Sequence, residues 1–201
     1  MRMFLNWQTI VGTGPTDWIG VEAGANGVAF AHLGFASGEP PYLHHCEFLA
    51  GQSGQAALAD LVTRRRPGRS PCNWVLGSRD YNLLLLEAPK VPAEELRDAL
   101  RWQIKDLVSF PADQAVLDIF ELPEDGSRGR HMIYAAAAPR GHIEGIVASA
   151  RQARLKLSSI DIGEFALRNI ADEIPSDGRG VAVVRIQRER GSIVLLRMQL
   201  Y

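Results

Sequence analysis

Residues 91–123, VPAEELRDALRWQIKDLVSFPADQAVLDIFELP, carry the clearest periodic pattern in the chain. Leu96, Ala99, Leu100, Ile104 and Leu107 recur at three- and four-residue steps and form one apolar helical stripe. Pro92 suits a first helical position, where its missing N–H would be unpaired anyway. Glu94 and Glu95 put negative charge at the positive end of the helix dipole. Pro111 pushes Phe110 out of the α region, so the segment Ser109-Phe110-Pro111 ends the helix. The spacing predicts a helix over 93–108. Beyond it, Ala115, Leu117 and Ile119 alternate with Val116, Asp118 and Phe120, which predicts a strand over 114–122.

The same reading extends along the chain. Strands are predicted over 17–24 and 28–34, joined as a hairpin through Ala25-Asn26-Gly27, because Asn-Gly favours the tight turn that hairpins need. A third strand follows over 42–49, a helix over 55–65 and a short buried strand over 73–76. A second unit opens with a strand over 81–87. It continues with the 93–108 helix, strands over 114–122 and 132–138, a helix over 143–154 and a strand over 156–160. That order is βαββαβ, placed at residues 79–159, with both helices expected on one face of its sheet. A helix over 164–171, a turn-rich linker over 175–180 and a hairpin of strands 181–186 and 192–198 complete the chain. No repeat of fixed period and no low-complexity stretch is present.

Composition narrows the class. Apolar residues make up 46% of the 201 residues and charged residues 22%, enough for a core and unlike a disordered chain. The formal net charge of −1 gives no electrostatic reason to expect nucleic acid. Two widely separated cysteines, Cys46 and Cys72, fit a reduced compartment better than a disulfide framework. No apolar run approaches the roughly 20 residues of a spanning helix. Residues 1–11 lack the features of a signal peptide and read as a short helix that packs back on the fold or touches a membrane surface. Arg64, Arg65, Arg66 and Arg69 form one basic cluster, read as a solvated helix end or a contact for anionic headgroups.

The VP-x-EEL-x-x-AL-RW helix, the turn ending in Phe110-Pro111 and the V-L-D strand resemble a segment of the PilM/MshI family, the actin-like components of type IV pilus assembly. The wider resemblance runs from about Trp18 to the C-terminus. It implies an α/β (α+β) chain, the first half of an actin-like ATPase (ribonuclease H-like) fold with an inserted βαββαβ subdomain as in the cell-division protein FtsA. The expected layout is a core subdomain at 1–78 with an N-terminal arm at 1–16, the inserted unit at 79–159, a return helix and linker at 160–178, and the first hairpin of a second actin-like half at 179–201. On this reading the chain is a fragment or a truncated product. The resemblance further implies a cytoplasmic scaffold of MSHA-type pilus biogenesis, peripheral to the inner membrane. Its partner would be the cytoplasmic tail of a bitopic, PilN-like protein, lying in a groove between core and inserted unit, with self-association through the inserted unit as a further mode. The related component of type II secretion is the non-enzymatic alternative, and an ATPase with a degenerate site is the enzymatic one.

In that family the first hairpin carries a D-x-G-x-S-S-x-K-type loop for phosphate and Mg²⁺. Here Glu22, Gly24, Asn26 and Gly27 stand in it, with Ala25 and Ala29 where hydroxyl and ammonium groups are expected. Glycine at 24 permits close backbone approach, and Glu22 keeps an acid one methylene longer. Arg185 stands where the second loop's aspartate would be, and a cation there repels Mg²⁺. The expectation is therefore no ATP hydrolysis and no cofactor, with residual nucleotide binding at Glu22, Gly24, Asn26 and Gly27 doubtful.

Other constellations are weaker. His44-His45-Cys46 offers only His44 and Cys46 on one side of a strand, too few ligands for zinc, so no metal is expected. No G-x-S-x-G turn is present. Asp118 and Glu121, three apart on a strand, face opposite sides. Trp102 lies off the apolar stripe near Glu95 and Asp106, either packed under a neighbouring subdomain or anchoring a partner. Phe110 either staples the helix end or shares that anchoring role.

Overall fold

A computed structural model describes residues 16–24, 26–36, 41–51, 54–122, 131–171, 174, 180–186 and 191–196. The N-terminal segment 1–11, the 123–130 loop and the linker at 175–179 lie outside them. The chain divides into two compact units, Met1–Gly77 with Ala150–Tyr201, and Ser78–Ser149.

The first unit is built on a five-stranded sheet in the order β3-β2-β1-β4-β8. Its strands are β1 (Thr16–Gly24), β2 (Gly27–Phe35), β3 (Tyr42–Ala50), β4 (Pro71–Leu76) and β8 (Lys156–Ile162). The β1–β2–β3 ladder is antiparallel, whereas β4 and β8 add in parallel. On one face the register aligns Ile19 with Cys72, and Val21 with Phe30 and Trp74, all of them buried. Helix α1 (Gly54–Arg65) contributes Ala57, Leu58 and Leu61 to the core, and its start meets Ala23 and Val28 at Gly54. Burial pushes the Cys72 thiol up to about 12. The other face carries the polar pair Asn73 and Ser159, neighbours across β4 and β8, with Ser159 Oγ 2.6 Å from Asn73 Oδ1.

Helix α4 (Gly163–Ala171) and the hairpin of β9 (Val181–Ile186) and β10 (Gly191–Leu196) belong to the same unit. The hairpin alternates strictly. Val181, Val183 and Arg185 are half-buried, while Val184, Ile186, Ile193 and Leu195 are exposed.

The second unit is a three-stranded antiparallel sheet, β5-β7-β6, made of β5 (Asn82–Glu87), β6 (Ala115–Glu121) and β7 (Met132–Pro139), with helix α2 (Leu96–Ile104) between β5 and β6 and most of helix α3 (Arg140–Gln152) after β7. Its core joins Leu100 and Ile104 of α2 to Leu86, Ala115, Leu117, Ile133, Ala135 and Ala137. No residue of α3 belongs to that cluster, although Ile143 and Ile146 of that helix are buried. The strand expected to close a βαββαβ unit is placed differently. Lys156–Ile162 pairs with β4, not with β5–β7. The burial of Ile160 and Ile162 beside Trp74 and Leu76 gives the reason, since that row completes the first unit's apolar face.

Helix α2 is shorter at both ends than the 93–108 expected from the stripe. Residues 93–95 form a turn, with the Glu95 N–H donating to Pro92 O at 3.0 Å. After Ile104 the chain makes looser turns that bring Val108 and Phe110 back onto the core, and this leaves Leu107 exposed.

Candidate functional site

The first candidate lies on the sheet face opposite the row of Ile19 and Val21. Glu22 of β1 is aligned with Val75 of β4, and Val75 with Asp161 of β8, so the two acids share one cross-strand row. At ordinary strand spacing they stand about 10 Å apart. Arg185 reaches this row from β9. Its Nη2 donates to Glu22 Oε1 at 2.7 Å and to Oε2 at 2.6 Å. Both side chains are about a quarter exposed, at 24% and 30%. Partial burial strengthens such a charge-assisted contact relative to a surface pair.

The geometry changes the meaning of the two residues. Arg185 does more than occupy the place of an expected acid, because it engages both oxygens of Glu22. A hydrated cation at Glu22 would have to displace a guanidinium that is covalently part of the fold. Asp161 was not foreseen as a site residue. Its Oδ1 accepts the Ile162 N–H at 2.8 Å, yet burial dominates and pushes its carboxyl up to about 7, against the opposing pull of that hydrogen bond and of Arg168.

The turn that joins β1 and β2 has its own structural logic. Gly27 adopts a positive φ of 139°, and a Cβ there would run into the Leu49 carbonyl. Asn26 O accepts the Gly51 N–H at 3.0 Å. These two residues hold the turn against β3. Gly24 is exposed and open, with nothing within 4 Å of a Cβ position.

The basic cluster is partly neutralised from within. Glu47 of β3 receives Arg65 Nε at 3.1 Å and Arg64 at 3.3 Å, and Arg64 Nε also meets Asp60 at 2.8 Å. Arg65, His45 and Arg64 together hold the Glu47 carboxyl down at about 2. Arg66 has a positive φ of 45° just past the end of α1 and is exposed, as is Arg69.

The second candidate is the polar face of α2. Trp102 is 76% exposed, with Lys105 Nζ 5.8 Å from the centre of its ring. It is not packed away. Phe110, in contrast, is partly buried and packs against the cluster around Leu100 and Ile104. Arg97 fixes the helix by donating to Leu117 O at 2.6 Å.

No protein-family model matches the sequence, and no curated protein does. Solved structures do match. A chain of the PilM-PilN type IV pilus biogenesis complex superposes with a TM-score of 0.66 at 25% identity, over 92% of this chain and 58% of that one. The fold is actin-like and PilM-like. The cytoplasmic domain of EpsL, an inner membrane component of the type II secretion system of Vibrio cholerae, matches with a TM-score of 0.62 at 13% identity, over 90% of this chain and 71% of that one. A Bacteroides thetaiotaomicron protein with an actin-like ATPase fold and unknown function matches at 0.53 and 6% identity, over 90% and 66%. This PilM-like chain therefore spans about 58% of the length of the pilus protein it matches. Among the described residues no helix is long and apolar enough to cross a membrane.

Proposed function

We propose that this chain is a non-catalytic adaptor of type IV pilus biogenesis, of the MSHA-associated MshI kind, working at the cytoplasmic side of the inner membrane. It would dock the cytoplasmic tail of a bitopic, PilN-like assembly protein. The observation that carries this reading is the match to a chain of the PilM-PilN complex over 92% of the present chain at 25% identity. The Arg185–Glu22 contact supports the non-catalytic part, since Glu22, the acid nearest the turn of the first hairpin, is held by a cation of the same chain. Trp102 supports the docking part. An exposed tryptophan on a helix otherwise fixed by its apolar stripe is a suitable anchor for an extended apolar tail. Gly24, Asn26 and Gly27 then serve the hairpin rather than a nucleotide. The inserted unit and the β9–β10 hairpin would stand as the subdomain and the first hairpin of the second half of the actin-like plan.

Co-expression with the bitopic protein tests the reading. Retention of the chain in the membrane fraction by the full-length partner, and its loss when the partner's cytoplasmic tail is deleted, is the expected result. Retention without the tail would contradict it. If a secretion-system partner holds the chain and a pilus partner does not, the pilus assignment gives way to the type II secretion relative.

A further inference from the structure

We propose that Asp17, His32 and His44 form a binding site for a divalent transition-metal ion of the zinc class, with one coordination position left to solvent. The three residues lie on three adjacent strands at one end of the first unit's sheet. Asp17 is aligned with Gly34 of β2, which places it on the same face as His32 two residues away. Simple alternation does not bring His44 there with both neighbours, because His32 is aligned with His45. A β-bulge supplies the difference. Leu33 is aligned with Leu43 and His32 with His45, so His44 is the extra residue of β3 and its side chain is re-aimed. Tyr42 buttresses it edge-on, with ring centroids 4.7 Å apart. The Tyr42 ring in turn lies where a side chain at Gly34 would collide, so glycine makes that room.

The donor set fits an ion of this class. Asp17 Oδ1 is 3.2 Å from His44 Nε2, and Asp17 Oδ2 is 3.3 Å from His32 Nε2. One ligand atom from each residue lies within 4.8 Å of the others. Tetrahedral zinc with bonds of about 2.0–2.1 Å has ligands about 3.3 Å apart, and each imidazole already stands at that distance from one of the two Asp17 oxygens. His32 Nε2 is shut off from solvent and makes no hydrogen bond of acceptable geometry, despite its proximity to Asp17. A buried ring nitrogen without a partner is unfavourable, and a metal ion at this point satisfies it. Two imidazoles with one carboxylate suit Zn²⁺, Co²⁺ or Ni²⁺ better than Mg²⁺ or Ca²⁺. The ion would cross-link the edge strand β3 to β2 and β1. It would act as a clip on the sheet, distinct from the Glu22–Arg185 row.

The test is uptake of Co²⁺ and Zn²⁺ by the untagged chain. Calorimetry should give one Zn²⁺ per chain. Co²⁺ should show the visible absorption of a low-coordinate nitrogen and oxygen site, lost on adding Zn²⁺. Zn²⁺ should also raise the melting temperature. Replacing a direct ligand, in His44→Ala or Asp17→Asn, should weaken binding at least as much as the roughly 10–100-fold seen for loss of a supporting outer-shell partner, and abolish the thermal shift. His45→Ala and Cys46→Ser should leave both unchanged. His44 is exposed, so its variant keeps the fold, which circular dichroism verifies. Failure of the unaltered chain to bind Zn²⁺, binding that survives both ligand substitutions, or binding abolished by Cys46→Ser would each overturn the proposal.

Discussion

Arg185 Nη2 lies 2.7 and 2.6 Å from the two carboxylate oxygens of Glu22, a contact between residues 163 positions apart in the chain. It ties the β9–β10 hairpin to the central strand of the five-stranded sheet. Each partner alone would be a charge with part of its hydration removed, so breaking the pair is unfavourable from either side. Arg185→Ala should destabilise the chain by about 1–3 kcal/mol in chemical denaturation. A double-mutant cycle with Glu22→Gln should show a coupling energy of about 0.5 kcal/mol or more. Independent, additive effects would mean the contact contributes nothing.

The same contact predicts an absence of catalysis. Phosphate release from Mg²⁺-ATP by the purified chain should stay at background, and Glu22→Ala should not change it. Mg²⁺-dependent release that disappears in Glu22→Ala would show that the acid is free to serve a cation, against this account.

Helix α2 offers a contrast between two residues two positions apart. Leu100 is fully buried, whereas Trp102 is 76% exposed. Leu100→Ala should cost about 2–5 kcal/mol through lost burial and a residual cavity. Trp102→Ala should stay within about 0.5 kcal/mol, as surface changes usually do. Equal losses would mean that Trp102 is covered in solution.

Asp161 sets a pH dependence of stability. Its folded carboxyl titrates at about 7, against an ordinary 3.8, chiefly because burial disfavours the charged form. The folded state thus binds a proton that the unfolded state has released. The resulting stabilisation is complete below about pH 4 and is lost as pH rises through 7. Asp161→Asn keeps an acceptor for the Ile162 N–H, removes the charge and should flatten that slope between pH 4 and 7. It should also stabilise the chain at pH 8 by about 1 kcal/mol or more. A slope unchanged by the substitution would exclude Asp161 as its source.

Local signals were the most legible. Asn26-Gly27 marked the β1–β2 turn, and the stripe from Leu96 to Ile104 marked α2, because both depend on neighbours within a few residues. Leu107 fitted the same period but is exposed, since Val108 and Phe110 turn the chain back before the stripe can continue. The place of β8 was not legible. A parallel partner is chosen by the fit of Ile160 and Ile162 beside Trp74 and Leu76, far away in sequence. Sequence marked Glu22 and Arg185 separately as departures from a nucleotide site, but not as partners of each other. The grouping of His32 and His44 with Asp17 depends on a bulge that alternation alone misses, which is why His44 was paired with Cys46 instead.

The proposed work of this PilM-like chain is to hold a membrane protein's tail. Calorimetric titration of a synthetic peptide, the cytoplasmic tail of the PilN-like partner, into the intact chain tests it most directly. Ordering an unstructured tail offsets much of the contact energy, so one site of about micromolar affinity is expected. The affinity should be the same with or without Mg²⁺-ATP, and about tenfold or more weaker in Trp102→Ala. No heat of binding to the intact chain, or binding that requires Mg²⁺-ATP, would contradict the account.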